Sequence, residues 1–161
     1  MTYVALLRGV NVGGHRMVKM DALRATFEQL GYTNVRTLLQ SGNVIFDAKT
    51  KPRDLDAHIG TSVVLRTQAE IRKVIAANPF PQEAASDPGR LLVVFLSAAL
   101  PSEEPLRKVV AEGEKFVAKG KEIYIYFPNG AGRSKLAETL TEKKLGVVCT
   151  ARNWNTVGKL V

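Results

Sequence analysis

The sequence predicts an α+β protein of two ferredoxin-like halves in tandem, each β-α-β-β-α-β, with a helical C-terminal extension. Three observations predict it. Short apolar runs alternate with stretches of helical periodicity, and the same order occurs twice along the chain. Each half contains two strand-like runs joined by a tight glycine turn, at Ser41-Gly42 and at Lys119-Gly120-Lys121. Residues 82–89, rich in Ser, Asp, Pro and Gly, read as a linker between the halves. Residue identity between the halves is slight, so the repeat rests on element order. The expected domains are 1–80, with a linking helix, and 81–161, with the extension.

In the first half, Tyr3 to Leu7 is an apolar strand that runs into a loop holding Gly9, Gly13 and Gly14. Met20, Leu23, Phe27 and Leu30 recur at helical spacing, with Gly31 as the C-cap. Val35 to Gln40 and Asn43 to Asp47 are the paired strands, Pro52 to His58 a short helix and Ser62 to Arg66 a fourth strand. Gln68 to Ala77, with Ile71, Val74 and Ile75 on one face, is a helix stopped at Asn78-Pro79.

In the second half, Arg90 to Leu96 is a buried strand. Pro101 is placed to open a helix, with Glu103 and Glu104 in its first turn. Lys115 to Ala118 and Glu122 to Phe127 form the hairpin, and Ser134 to Leu145 one helix ended by Gly146. Val147 to Thr150 is the last strand, and Asn153 to Leu160 a last helical turn or two.

Composition sets outer limits. The 161 residues are 45% hydrophobic, enough for one good core or two small ones. No apolar run approaches the ~18 residues that cross a membrane, so no membrane partner is expected. The N-terminus lacks the features of a signal peptide, which points to a cytoplasmic protein. The single cysteine, Cys149, excludes an internal disulfide and a cysteine-based metal site, and no metal ligand set is expected. Net charge is +8, shared as +5 over residues 1–80 and +3 over residues 81–161, which favours anionic partners or is simply a lysine-bearing surface.

The polar residues cluster where the topology brings loops together. The loop after the first strand and the first hairpin share one end of a sheet, which gathers Arg8, Asn11, Gly13, Gly14, His15 and Arg16 with Gln40, Ser41 and Asn43. In the second half Arg133, Ser134 and Lys135 are expected near Arg152, Asn153 and Asn155. Glycine loops that lead into helices offer free N–H groups to anions. The second is not a Walker loop, since the glycine spacing is wrong. Structural alternatives stand beside each: Ser134 as an N-cap, the asparagines as turn residues, Trp154 as an anchor for the terminal segment, Cys149 as a small buried apolar residue.

The segments Leu6–Gly14, Leu39–Val44, Gly132–Leu136 and Thr150–Val157 resemble the hallmarks of the family catalogued as domain of unknown function 1697. The resemblance implies an α+β fold with two similar halves, and carries no activity, cofactor or catalytic residue. The chain departs from that pattern between Asp47 and Val63, which is about one helix short.

The leading reading is a small anionic ligand, a nucleotide or phosphorylated metabolite, held in the polar loops. His15 is the only candidate proton carrier, without a carboxylate partner in the motif segments, so catalysis stays open. The alternative from another class is a nucleic-acid-binding module, which requires Tyr124, Tyr126 and Phe127 to face solvent. A third is a protein-interaction scaffold. Because Arg8 and Arg152 each leave a strand into an Asn-rich segment, one composite site is a further expectation. No motif names a cofactor or an oligomeric state.

Overall fold

The computed structural model describes residues 1–8, 19–38 and 42–161. In the first half, β1 (Thr2–Leu7), α1 (Met20–Gln29), β2 (Thr33–Leu38), β3 (Asn43–Asp47), α2 (Leu55–Ile59) and β4 (Val63–Thr67) follow the order read from the sequence. Their sheet has the order β2-β3-β1-β4, with every neighbour antiparallel. After α3 (Gln68–Ala76) and α4 (Pro81–Ser86) come β5 (Leu91–Leu96), α5 (Glu104–Arg107), β6 (Lys115–Lys119) and β7 (Glu122–Tyr126). Then follow α6 (Lys135–Glu138), α7 (Glu142–Leu145), β8 (Cys149–Asn153) and α8 (Trp154–Gly158). The second sheet has the order β6-β7-β5-β8, again antiparallel throughout. The protein is thus α+β, with two four-stranded antiparallel sheets.

Two-residue alternation builds each sheet. Tyr3, Ala5 and Leu7 of β1 point to the face that packs on Leu23 and Phe27 of α1, together with Val44 and Phe46 of β3. Burying Phe27 there contributes about 2–3 kcal/mol relative to leaving it exposed. In the second half Val94, Leu96, Ile123 and Ile125 make the matching face against Leu106, Leu136 and Leu145. The alternate residues are buried as well: Val4, Leu6 and Ile45 in one sheet, Val93, Phe95 and Tyr124 in the other. Strands buried on both faces explain the unbroken apolar runs of β1 and β5.

The chain divides into two compact units, Met1–Arg72 with Leu160–Val161, and Lys73–Lys159. The division falls inside α3, which is a continuous helix. Thr67 and Glu70 close its N-terminus as a reciprocal capping box, with Glu70 N–H on Thr67 Oγ1 at 3.1 Å and Thr67 N–H on Glu70 Oε1 at 3.0 Å.

Several expectations are corrected. The linker over residues 82–89 is mostly helical: Pro81 occupies the first position of α4, where it needs no N–H partner, and a short 3₁₀ turn follows over Pro88–Arg90. Lys115 anchors α4 through Glu83 at 2.8 Å, a tertiary contact that composition does not reveal. The single helix expected over residues 134–145 is two. Thr139 Oγ1 donates to Leu136 O at 2.6 Å, and Thr141 caps a new helix by accepting from Lys144 N–H, so threonine side chains compete with the helical ladder at this point. The helix expected from Pro101 starts at Glu104, with Pro105 in its first turn and Ser102 Oγ accepting from Glu104 N–H. The helix expected over residues 52–58 is the five residues of α2, closed by Gly60 at φ +84°. Among the described residues no helix is long and apolar enough to cross a membrane.

Candidate anion site at the end of the first sheet

β1 delivers Arg8 into a fixed place. Leu7 N–H donates to Gly42 O at 2.9 Å, across to the β2–β3 hairpin. Arg8 N–H donates to Ser62 O at 3.0 Å, and Thr61 Oγ1 donates back to Arg8 O at 2.9 Å. The backbone of Arg8 is therefore held through both its N–H and its carbonyl just as the chain leaves the sheet. Gly42 has φ +77°, a conformation that the missing Cβ makes accessible. Asn43 is wholly buried, and its Nδ2 donates to Leu38 O at 2.9 Å.

The N-terminus of α1 lies at this same end. Its C-terminus joins β2 at Thr33, which pairs with Asp47, itself paired with Thr2 at the opposite end of β1. Lys19 is the N-cap residue of α1, in an extended conformation and with no side-chain cap, and Asp21 stands in the first turn. Asn11, Gly13, Gly14, His15, Arg16, Gln40 and Ser41, all assigned to this end by sequence, lie outside the described residues. The sequence reading did not select Thr61 and Ser62. The signal for them was topological, because the residues before an antiparallel partner strand must meet the exit of β1.

The second sheet repeats the backbone and changes the side chains. Leu96 N–H donates to Lys121 O at 2.9 Å and Ser97 N–H to Val148 O at 2.9 Å. Ser97 thus holds the place of Arg8. Glu122, opposite Phe95, holds the place of Asn43, opposite Leu6.

In the other sequence-selected group, Ser134, Arg152 and Asn153 make hydrogen bonds within the fold. Ser134 is the N-cap of α6, accepting from Ala137 N–H at 3.3 Å, and its hydroxyl donates to Glu114 Oε2 at 2.6 Å. Arg133 and Lys135 beside it are exposed. Asn153 caps α8 by accepting from Thr156 N–H at 3.0 Å, and Asn155 is exposed. Arg152 is only 6% exposed, with Nη1 donating to Thr150 Oγ1 at 2.6 Å and to Ala151 O at 2.8 Å. Burial pulls its guanidinium down to about 10, still cationic at neutral pH. Sequence reading overlooked its counterpart. Arg66 is 5% exposed, sits opposite Val4 as Arg152 sits opposite Val93, and donates from Nη1 to Leu65 O at 3.0 Å. The clue was a lone arginine directly after the apolar run Val63–Leu65, still within the strand.

The aromatic strip expected on the second sheet is not presented to solvent. Tyr124 is buried with its hydroxyl donating to Val74 O at 2.7 Å, and burial, then the charge of Glu122, pushes it up to about 12. Phe127 is buried, and Tyr126 is half-buried with its hydroxyl on Asp87 Oδ2 at 2.9 Å. Cys149 is buried in β8. Trp154 is half-buried at the start of α8.

A depression of 540 Å³ opens at the far end of the first sheet, between Thr2, Tyr32, Asp47 and Lys49. Its carboxylate is already engaged, with Thr2 Oγ1 donating to Asp47 Oδ1 at 2.6 Å and Asn34 Nδ2 to Oδ2 at 2.8 Å. Among the described residues no group of three or more His, Cys, Asp or Glu is arranged to hold a metal.

This architecture defines an α+β protein of two antiparallel four-stranded sheets, one of which ends in an arginine-bearing loop. The chain belongs to the family described as protein of unknown function (DUF1697), which matches residues 1–124. The two C-terminal segments quoted above lie beyond that match. The fold is similar to that of the conserved bacterial protein SP0830 from Streptococcus pneumoniae, with a TM-score of 0.73 over 99% of this chain and 96% of that one, at 20% identity. No curated protein matches the chain.

Proposed function

We propose that the protein binds a small anionic ligand, a nucleotide or phosphorylated metabolite, at the end of the first sheet. The observation that carries this reading is the two-sided anchoring of Arg8 at the exit of β1, where α1 also turns its N-terminus. On this reading the Arg8 guanidinium meets the anion, and the loop residues Asn11, Gly13, Gly14 and Arg16, with Gln40 and Ser41 of the hairpin, supply further donors. His15 is the proton carrier if the ligand is turned over. Each half is, on the same reading, a copy of one ferredoxin-like unit, supported by the shared strand order and register. The buried positions of Tyr124 and Phe127 favour a pocketed ligand over a polynucleotide stacked on the sheet.

A thermal-shift panel of nucleotides and phosphorylated metabolites tests this. A ligand specific to the native state stabilises it by ~2.7 kcal/mol at a hundred times its dissociation constant. Arg8→Ala removes a charge-assisted bond and weakens binding roughly ten- to a hundredfold. Affinity falls with salt at a log–log slope near one or two, where a polynucleotide gives a slope near the number of phosphates touched. A panel in which no anion raises the melting temperature refutes the proposal.

A further inference from the structure

The two hairpins that lead to the equivalent sheet ends differ in length. β2 and β3 are joined by the four residues 39–42, whereas β6 and β7 are joined by Gly120 and Lys121 alone. The longer connection stands at the Arg8 end, and the residue that closes it is Asn43. In the register Leu38 faces Asn43 across the hairpin, and the Asn43 amide reaches over to Leu38 O at 2.9 Å. On its other side Asn43 pairs with Leu6 of β1, and Gly42 O takes the Leu7 N–H. One buried side chain thus sits at the junction of hairpin and β1, opposite Leu6, which stands two residues before Arg8.

We infer that Asn43, which the sequence reading places among the ligand contacts, is instead a positioning residue. Its buried amide ties the start of β3 to the end of β2 beside Leu6 of β1 and so fixes the place from which Arg8 meets the anion. This rests on the proposed anion site. Full burial keeps Asn43 out of a ligand's reach. A backbone that shifts by a fraction of an ångström at this junction moves Arg8 out of register with its ligand. Glu122 has the equivalent place in the second sheet, where the turn is two residues.

The test reads two amides and one ligand. Leu7 N–H reports the hairpin side and Arg8 N–H the β4 side, so hydrogen exchange separates them within one strand end. Asn43→Asp keeps the shape and loses the donor; Asn43→Ala serves as the second variant, and Glu122→Gln as the control. Inorganic pyrophosphate is the probe, followed by melting temperature. The expected result is Leu7 exchange faster by ~tenfold or more in both Asn43 variants, with Arg8 exchange changed less than about threefold. The pyrophosphate midpoint should rise by ~tenfold or more in both, and stay unchanged in Glu122→Gln. Unchanged Leu7 exchange in a folded variant overturns the inference, because the amide then locks nothing. Faster Leu7 exchange with an unchanged pyrophosphate midpoint also overturns it, leaving Asn43 a purely structural residue. If the parent protein does not respond to pyrophosphate or to any anion of the wider panel, the anion site itself is refuted, and the exchange data alone then show whether Asn43 holds the hairpin.

Discussion

Leu7 and Arg8 leave the first sheet as Leu96 and Ser97 leave the second. Each pair donates one hydrogen bond to a hairpin and one to the segment before the edge strand, at 2.9 and 3.0 Å in one half and 2.9 and 2.9 Å in the other. The side chains on this shared frame differ. One end carries Arg8, buried Asn43 and a long glycine-rich connection. The other carries Ser97, Glu122 and a shorter connection, to α5 at Glu104. The register is dictated by apolar alternation, since a slip of one residue would turn every core side chain to the wrong face. Strand ends carry no such constraint, so a site can be built on one of them at little cost to the core. The opposite ends teach the reverse. Arg66 and Arg152 stand at matching positions, both buried and both folded back on the carbonyl of the preceding residue, so this feature belongs to the frame.

The largest test of that equivalence is to remove the arginines. Arg66→Ala and Arg152→Ala each delete charge-assisted hydrogen bonds and a buried stem, and each should cost about 2–4 kcal/mol. Urea midpoints measure both. A large loss in one half beside a negligible loss in the other would break the comparison. The turn glycines come next. Gly42 at φ +77° and Gly120 at φ +57° both hold left-handed backbone, so replacement by alanine should cost ~1–2 kcal/mol at either. If Gly42→Ala is neutral, the connection at the candidate site relaxes in a way that the two-residue turn cannot.

Helix caps give a smaller and equally paired effect. Thr67 follows Arg66 and caps α3; Asn153 follows Arg152 and caps α8. Thr67→Ala and Asn153→Ala should each lose about 1 kcal/mol, while exposed Asn155→Ala stays within about 0.5 kcal/mol. Denaturant unfolding of the three variants separates the capping asparagine from its neighbour. A loss at Asn155 matching that at Asn153 would mean that Asn155 also holds the fold, and the cap would not set Asn153 apart.

The fold was readable because its signals are local. Apolar runs at Tyr3–Leu7 and Leu91–Leu96, helical spacing from Met20 to Leu30 and the glycines of the hairpins each carry their own mechanism. What escaped depends on contacts distant in sequence. Nothing near Pro81 announces that Lys115 will hold Glu83, and nothing in Ser134-Lys135-Leu136 announces that Thr139 will end the helix early. The candidate site residues are ambiguous in sequence for the same reason. Composition marks Arg8 and Arg152 alike as cations beside asparagines. Only burial separates the arginine anchored at a sheet exit from the one enclosed in its sheet. Asparagines such as Asn43 and Asn153 suit ligand donation and backbone bridging equally, and the bonds to Leu38 O and from Thr156 N–H appear only in the folded chain.

The smallest expected effect again compares one register position in the two halves. Asp47 faces Thr2 across the first sheet as Tyr126 faces Leu91 across the second. Hydrogen bonds from Thr2, then Asn34, hold the Asp47 carboxyl below its ordinary value. A depressed carboxyl contributes stability that is present above its unfolded value, ~3.9, and is lost as pH falls through the folded value. Tyr126 goes the other way. Its hydrogen bond to Asp87 raises it, so its contribution is present below the unfolded value of ~10 and fades as pH rises through the folded one. One half therefore adds to the acid limb of the stability profile and the other to the alkaline limb. Melting temperatures from pH ~2 to 5 and ~9 to 11 should show Asp47→Asn flattening only the acid limb. Tyr126→Phe should soften only the alkaline limb, without abolishing it, because Tyr124 is pushed up to about 12 by burial and titrates there too. Both effects are modest, since solvent screens each group. An Asp47→Asn variant with an unchanged acid limb would mean that Thr2 and Asn34 hold the carboxylic acid as well as the carboxylate, and the two ends would then differ in shape alone.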